Sequence, residues 1–449
     1  MQIVRMKTNR MVNPMGFALG TPTVSWNVIE AEGKTQKSAQ VIVRKDFFDG
    51  EIVFDSGKQE KLSGIAYPLQ FALKPRTRYY WQVTVFSDQD EVAVSDPVWF
   101  ETGKQEEKFA GRYIKPNLPY DVCPYLRKSF QITGKILRAR AYFTGLGVYE
   151  LHMNGKKVGE EYLAPGCTAY DKWIQYQTYD VTDYILPGEN VIGAILGNGW
   201  AKGRFGFGGK AGSFTENTKG TPSDIFTDEY LLLGDIIVET DEGIITVSTD
   251  DTWQSAQSPL TFSSIYDGER YDARKEIPSW SEAGGNDHHW ETTSLTSPQN
   301  IKMPTARLSP PVKKMQEFQP TLIKTPKNEL ILDVGQEISG WIAFRADLPA
   351  GREVKLCYSE ILQEDCFYRD NMRSALCEYR YISKGERAWV QPITTFFGFR
   401  YVKLEGFNED VNAKDFTACA IYSDLETTGS ISTGNKKVNR LFENCLWSQ

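Results

Sequence analysis

The sequence predicts a mainly β protein, a series of β-sandwich modules that ends on one helix. Short runs of alternating apolar residues, separated by turn residues, recur through most of its 449 residues. Aromatic residues reach 13%; Tyr, Phe and Trp favour pleated sheets and also offer stacking faces to sugars. Helical periodicity is clear only at the end, where Val438, Leu441, Phe442, Cys445 and Leu446 share one face. At ~150 residues per domain, the length suggests about three domains.

Residues 14–102 read as a fibronectin type III-like β-sandwich. Its strands are SWNVIEA, AQVIVRK, GEIVFDSG, RYYWQVTVFS and PVWFETG, with Trp26, Tyr80, Trp81, Trp99 and Phe100 as core. A charged, Pro-punctuated linker (103–117) leads to a second β region, 118–305. There Asn154-Gly155 between alternating runs marks a tight hairpin. The Gly/Ser/Thr-rich stretch 203–224 is expected to be a long loop. After MPTARLSPPVKK a third sandwich covers 307–425. The helix occupies 430–449, with Ser432, Thr433 or Asn435 as candidate caps.

A net charge of −7 and a pI near 5.4 argue against nucleic-acid or anionic-membrane partners. Seven scattered cysteines without a CxxC pair favour reduced thiols over a disulfide framework or zinc site. The histidines are His152, His288 and His289, too few for a His-based metal site or triad. No apolar stretch long enough to span a membrane occurs and the N-terminus lacks an apolar signal core, so the chain as written is expected to be cytoplasmic unless a leader was removed. GxSxG, P-loop and HExxH motifs are absent, and GFGGK (206–210) lacks the spacing of a phosphate cradle.

Seven segments occur in an order that resembles the bacterial α-L-rhamnosidases of glycoside hydrolase family 78. They are NPMGF…PTVSW, GLGVYELHMNGKKVGEEYLAPGCTAYDKWIQYQTYDVT, LGNGW, YDGERYDARKE, LDVGQEISGW, SEIL…FYRDNMRSA and GFRYVKLEGF. The resemblance covers nearly the whole chain. It implies that 118–305 is a galactose-binding-like jelly roll, 307–425 a concanavalin-like sandwich, and 430–449 the first helix of an (α/α)6 catalytic barrel cut short. The catalytic carboxylates would then lie downstream of residue 449, in a missing domain of the same polypeptide. The resemblance further implies a parent enzyme that hydrolyses terminal α-L-rhamnosyl units of plant glycosides or polysaccharides with no required cofactor, and a carbohydrate partner that the jelly roll itself holds in some relatives together with calcium. A stand-alone carbohydrate-binding or adhesion protein is the competing reading; the lone apolar helix argues against it.

A sugar site wants an aromatic face and amide or carboxylate groups on loops. Asn154, Tyr170, Asp171, Asn198 and Trp200 supply these groups, and Asp171 is the candidate calcium ligand. Each also has a structural reading: Asn154 suits a left-handed turn position, and Trp200 suits packing over a sheet. Glycoside hydrolysis generally needs two carboxylates. On a strand, Asp267 and Glu269 would share a face about 6.5–7 Å apart, near the ~6.5–9.5 Å of an inverting pair. The resemblance instead places them, with Asp272, in a supporting module whose charges bridge domains. Glu360, Asp365 and Asp370 fall in or beside a turn and read as structural too. Phe396 and Phe397 are expected to widen a packing surface.

Overall fold

The computed structural model describes residues 1–203, 227–284, 288–298, 301–408 and 410–449. All of the expected loop 203–224 except Gly203, and with it GFGGK, lies outside the described residues. The chain forms two compact units that are not contiguous in sequence. Unit one gathers Met1–Ala110, Trp173–Tyr179 and Lys302–Ser309; unit two gathers Gly111–Lys172, Asp180–Ile301 and Pro310–Gln449.

Unit one is a β-sandwich. One sheet orders Met15–Phe17, Val98–Thr102, Arg78–Ser87, Gln36–Lys45 and Ile52–Asp55, with Val92–Val94 on Arg78–Ser87. The other orders Gln2–Thr8, Thr23–Ile29 and Tyr67–Pro68. The first strand thus begins well before residue 14, and Thr8 Oγ1 accepts a 3.0 Å hydrogen bond from Trp81 Nε1 in the core. Strict alternation along Arg78–Ser87 turns Tyr79, Trp81, Val83 and Val85 inward. Tyr80 and Trp99, expected in the core, are only half-buried: they face each other across the ladder on the other side, and Arg78 stacks on Trp99 at 4.0 Å. Trp26 and Phe100 are core residues as expected. Within this unit Tyr176 Oη accepts from Lys104 N at 2.6 Å.

Unit two contains two large sheets. Across the first, the strands run Lys156–Lys157, Val148–Met153, Gly188–Gly197, Pro124–Ile132, Gln254–Gln257, Glu291–Thr296, Tyr113–Pro116, Leu231–Thr240 and Ile136–Leu146. Asn154 (φ 49°) and Gly155 (φ 81°) both take left-handed backbone at the turn between Val148–Met153 and Lys156–Lys157, as the Asn-Gly pair predicts. The second sheet is built on the 17-residue strand Leu330–Ala346 and runs through Phe397–Glu405, Glu353–Ser359 and Glu378–Ile382. Its edge comes from elsewhere in the chain: Leu260–Ser264 and Gly268–Asp272, read from sequence as part of the second region, complete this sheet. Gly268–Asp272 lies parallel to Glu378–Ile382. Gly268 makes this possible: its φ is +117°, and a Cβ there would meet Glu378 O at 1.8 Å.

The helix Lys436–Ser448 starts at Asn435, whose side chain accepts from Lys437 N. It buries no residue, leaving Val438, Leu441 and Leu446 exposed, although Trp447 meets Phe318 at 5.9 Å. Phe397 is a core residue stacked on Tyr358 at 3.8 Å, not part of a widened surface; Phe396 stays half-buried. All seven cysteines are free. Among the described residues no helix is long and apolar enough to cross a membrane.

Candidate functional site

The strand Gly268–Asp272 carries the acidic motif, and each of its carboxylates is held differently. Glu269 is fully buried. Thr394 N and Thr394 Oγ1 donate to its Oε2 at 2.8 and 2.9 Å, and Ile393 N reaches both oxygens at 3.2 and 3.1 Å. Burial pushes its pKa up to about 7; the Ile393 and Thr394 donors oppose that, and the charge of Glu150 adds to it. Glu150 behaves in the opposite way. Burial would raise it, but His152 at 2.8 Å and Lys157 at 2.6 Å hold it below the ordinary range.

Asp267 is buried as well and accepts from Leu376 N at 3.2 Å, while its own N–H donates to Ser264 Oγ at 3.0 Å. It lies in the turn before the strand, and the left-handed Gly268 breaks the regular alternation, so the two-residue strand spacing does not describe this pair. Asp272 grips Arg274 through two 2.8 Å bonds. Arg270 reaches Glu353 at 2.8 Å, and Glu378 holds Arg369 and Arg380 at 2.9 Å each. An acid–base pair needs a water and a sugar between its carboxyls; Glu269 and Asp267 have backbone and hydroxyl donors against them instead. This arrangement fastens a hairpin into a sheet.

From Glu269 a buried hydrogen-bond chain leads back into the first sheet. Thr394 Oγ1 meets Ser263 Oγ at 2.9 Å, Ser263 O accepts from Asn198 Nδ2 at 2.6 Å, and Asn198 Oδ1 accepts from Tyr230 Oη at 2.5 Å. Asn198, proposed from sequence as a sugar ligand, therefore spends its amide inside the fold. Asn154 does likewise: its Nδ2 donates to Tyr184 O and Asn190 Oδ1 at 2.9 and 2.7 Å, and its Oδ1 accepts from Val191 N at 2.9 Å. Trp200 packs half-buried beside Phe396 at 6.5 Å, over a cluster containing Trp341 and Ile265. Tyr170 is buried with its hydroxyl on Gly166 O at 3.1 Å. Asp171 is exposed and pairs with Lys172 at 3.1 Å. These hydrogen bonds give the two amides structural work in separate places, and the exposed Asp171 carboxylate faces the Lys172 ammonium. Among the described residues no group of three or more His, Cys, Asp and Glu is placed to hold a metal ion.

The three other acids singled out from the sequence lie in or beside a turn, as expected. Glu360 accepts from Asn371 at 2.9 Å, Asp365 takes left-handed backbone in the turn between Leu362–Gln363 and Cys366–Phe367, and Asp370 opens a short 3-10 turn. His288 and His289 are exposed. Sequence reasoning missed the Glu269–Thr394 contact because the partners are 125 residues apart; neither side carries a local signal for the other.

Three family models tile the chain. An α-L-rhamnosidase N-terminal domain matches residues 134–316, a bacterial α-L-rhamnosidase concanavalin-like domain matches 323–422, and a Rha78A-like N-terminal immunoglobulin domain matches 3–106. This chain carries the N-terminal and concanavalin-like domains of the α-L-rhamnosidases. Its first sandwich matches an immunoglobulin module, an architecture that fibronectin type III modules share. An α-L-rhamnosidase of Alteromonas sp. (strain LOR) is 31% identical over 468 residues, covering 97% of this chain and 49% of the relative. One from Formosa agariphila is 30% identical over 466 residues, covering 97% of this chain and 48% of the relative. The chain thus spans about half the length of these curated relatives. Among solved structures, an α-L-rhamnosidase of Dictyoglomus thermophilum superposes with a TM-score of 0.87 at 29% identity, covering all of this chain and 52% of that one. The Streptomyces avermitilis α-L-rhamnosidase complexed with L-rhamnose superposes with a TM-score of 0.91, covering all of this chain and 60% of that one; at 22% identity this shows a shared fold.

Proposed function

We propose that these residues are the supporting modules of an enzyme that hydrolyses terminal α-L-rhamnosyl units of plant glycosides or polysaccharides. The catalytic acid and base lie outside the 449 residues, and the sandwiches position the catalytic part beside them. The observation that carries this reading is the state of Glu269 and Asp267. The carboxylates that the sequence offers as an acid–base pair are buried and bonded to Ile393, Thr394 and Leu376, in a chain that matches about half of each rhamnosidase relative. The domain limits 14–102, 118–305, 307–425 and 430–449 remain part of this proposal, as does the carbohydrate contact through Tyr170, Asp171 and Trp200.

The test is hydrolysis of p-nitrophenyl α-L-rhamnoside by the 449-residue chain and by a full-length rhamnosidase carrying it, with Glu269→Gln made in both. The chain alone should release no nitrophenol, and Glu269→Gln should leave the full-length kcat within about 3-fold, because a buried support contributes little to transition-state binding. Turnover by the chain alone, abolished by Glu269→Gln, would move the chemistry into these modules and sink the proposal. Titration with L-rhamnose, with and without calcium, separates a sugar-holding jelly roll from a purely mechanical one.

A further inference from the structure

One row of residues across the first sheet of unit two is not used by the acidic hairpin. His152, Gly193, Arg127 and Gln254 lie side by side on four neighbouring strands, so their side chains share a face. Gly193 leaves room for Trp280, whose ring would be 2.4 Å from a Cβ there and which stacks on Tyr125 at 4.1 Å. Trp290 lies over the Arg127 guanidinium at 5.2 Å.

Arg127 is anomalous. It is 5% exposed, and its Nε is buried with no hydrogen-bond partner among the described residues. The bond it makes, from Nη2 to Ser129 Oγ, is a marginal 3.5 Å. In the same unit, Arg138, Arg140, Arg270, Arg369 and Arg400 each face a carboxylate at 2.6–2.9 Å. Arg138, Arg274 and Arg400 use the Nε/Nη2 edge for it, the edge that faces no carboxylate on Arg127. Burying a guanidinium without an anion is unfavourable unless a partner compensates. Burial accordingly pulls its pKa below the ordinary arginine value, with Glu189 acting the other way. Ser129 and Gln254, on either side, are exposed and open the row to solvent.

We infer that this row is a subsite for an acidic sugar: Arg127 takes the carboxylate of a uronic acid, Ser129 and Gln254 take ring hydroxyls, and Trp290 supplies the aromatic wall. A planar guanidinium edge matches a carboxylate through two parallel bonds. An aromatic wall suits a pyranose ring and adds nothing for a bare inorganic anion. This inference rests on the carbohydrate-active reading above and sharpens it: the glycans served would carry uronic acid beside rhamnose.

The test is calorimetric titration of the 449-residue chain with D-glucuronate and D-galacturonate, with D-glucose, acetate and glucose 6-sulfate as comparison arms. Saturable binding of a uronate, absent for glucose and weaker for acetate, is expected. Arg127→Met should weaken it by about 10-fold or more, since a charge-assisted bidentate contact is lost, and Arg127→Lys should recover only part. Equal binding by Arg127→Met, or no uronate binding by the wild-type chain, overturns the inference. Tighter binding of the sulfate arm overturns the carboxylate assignment. If Arg127→Met fails to fold, Arg127→Lys and the wild-type titration still decide. A full-length enzyme that cleaves the neutral rhamnoside while its chain ignores uronates loses only this subsite; uronate binding without rhamnoside cleavage removes the hydrolase reading and keeps the subsite.

Discussion

Glu269 and Asp272 stand three residues apart on the strand Gly268–Asp272, and the fold treats them in opposite ways. Glu269 is met by the amides of Ile393 and Thr394 and one hydroxyl; its neighbour in charge is another acid, Glu150. Desolvation prevails, and its pKa rises to about 7. Asp272 is nearly as buried, but Arg274 clamps it, and that hydrogen bond holds its pKa below the ordinary aspartate range. Burial alone therefore does not set the charge of an acid in this protein; a cation within reach does. The same contrast, with the charge reversed, separates Arg127 from the ion-paired arginines around it.

The difference can be broken most severely at Glu269. Glu269→Ala strips the acceptor from the Ile393 and Thr394 amides, leaves the Thr394 hydroxyl with Ser263 alone, and should destabilise unit two by about 3–5 kcal/mol, read as a lower urea midpoint. Glu269→Gln, which still offers an oxygen to Thr394, should lose far less. If both variants cost the same, the donors are not what the carboxylate serves. Gly268→Ala attacks the strand rather than the acid: strained backbone at φ +117° and a collision with Glu378 O should cost about 3 kcal/mol. A neutral result would mean that the parallel pairing with Glu378–Ile382 tolerates slippage.

A pH series sharpens the comparison further. The Glu269 carboxyl binds its proton more tightly folded than unfolded, so its contribution is fully present below about pH 4.5 and is lost as pH rises to about 7. Within that window the wild type should lose stability relative to Glu269→Gln by up to roughly 1.4 kcal/mol per pH unit. A difference that stays flat from pH 5 to 7, both taken as approximate ends of the window, would show that Glu269 is ionised throughout. Asp272 has the opposite sign: its contribution is present above about pH 4 and fades as pH falls below that. The effect is small because Arg274 is half-exposed and solvent screens the pair. Asp272→Asn should cost less than about 1 kcal/mol at neutral pH, and a loss comparable to that of Glu269→Ala would erase the distinction between the two acids.

Much of the molecule was legible in the residues themselves. Period-two alternation marked the strands of each sandwich, although Tyr79 rather than Tyr80 belongs to the core. Asn154-Gly155 marked its hairpin, and Asn435 with the spacing of Val438, Leu441 and Leu446 marked the helix. These signals are local, written in backbone propensity and in which face of an element is apolar. The tertiary structure decided what alternation cannot encode, namely which sheet a strand joins. Leu260–Ser264 and Gly268–Asp272 lie in sequence between Gln254–Gln257 and Glu291–Thr296, two neighbouring strands of the first sheet of unit two, yet they complete the second. That exchange buries Glu269 against Thr394, gives Asn198 to Ser263 and Tyr230, and so changes two residues that read as candidates for chemistry or sugar into parts of one internal hydrogen-bond chain. A polar side chain's role depends on the donors, acceptors and charges that the fold brings to it, and here they come from segments more than thirty residues away.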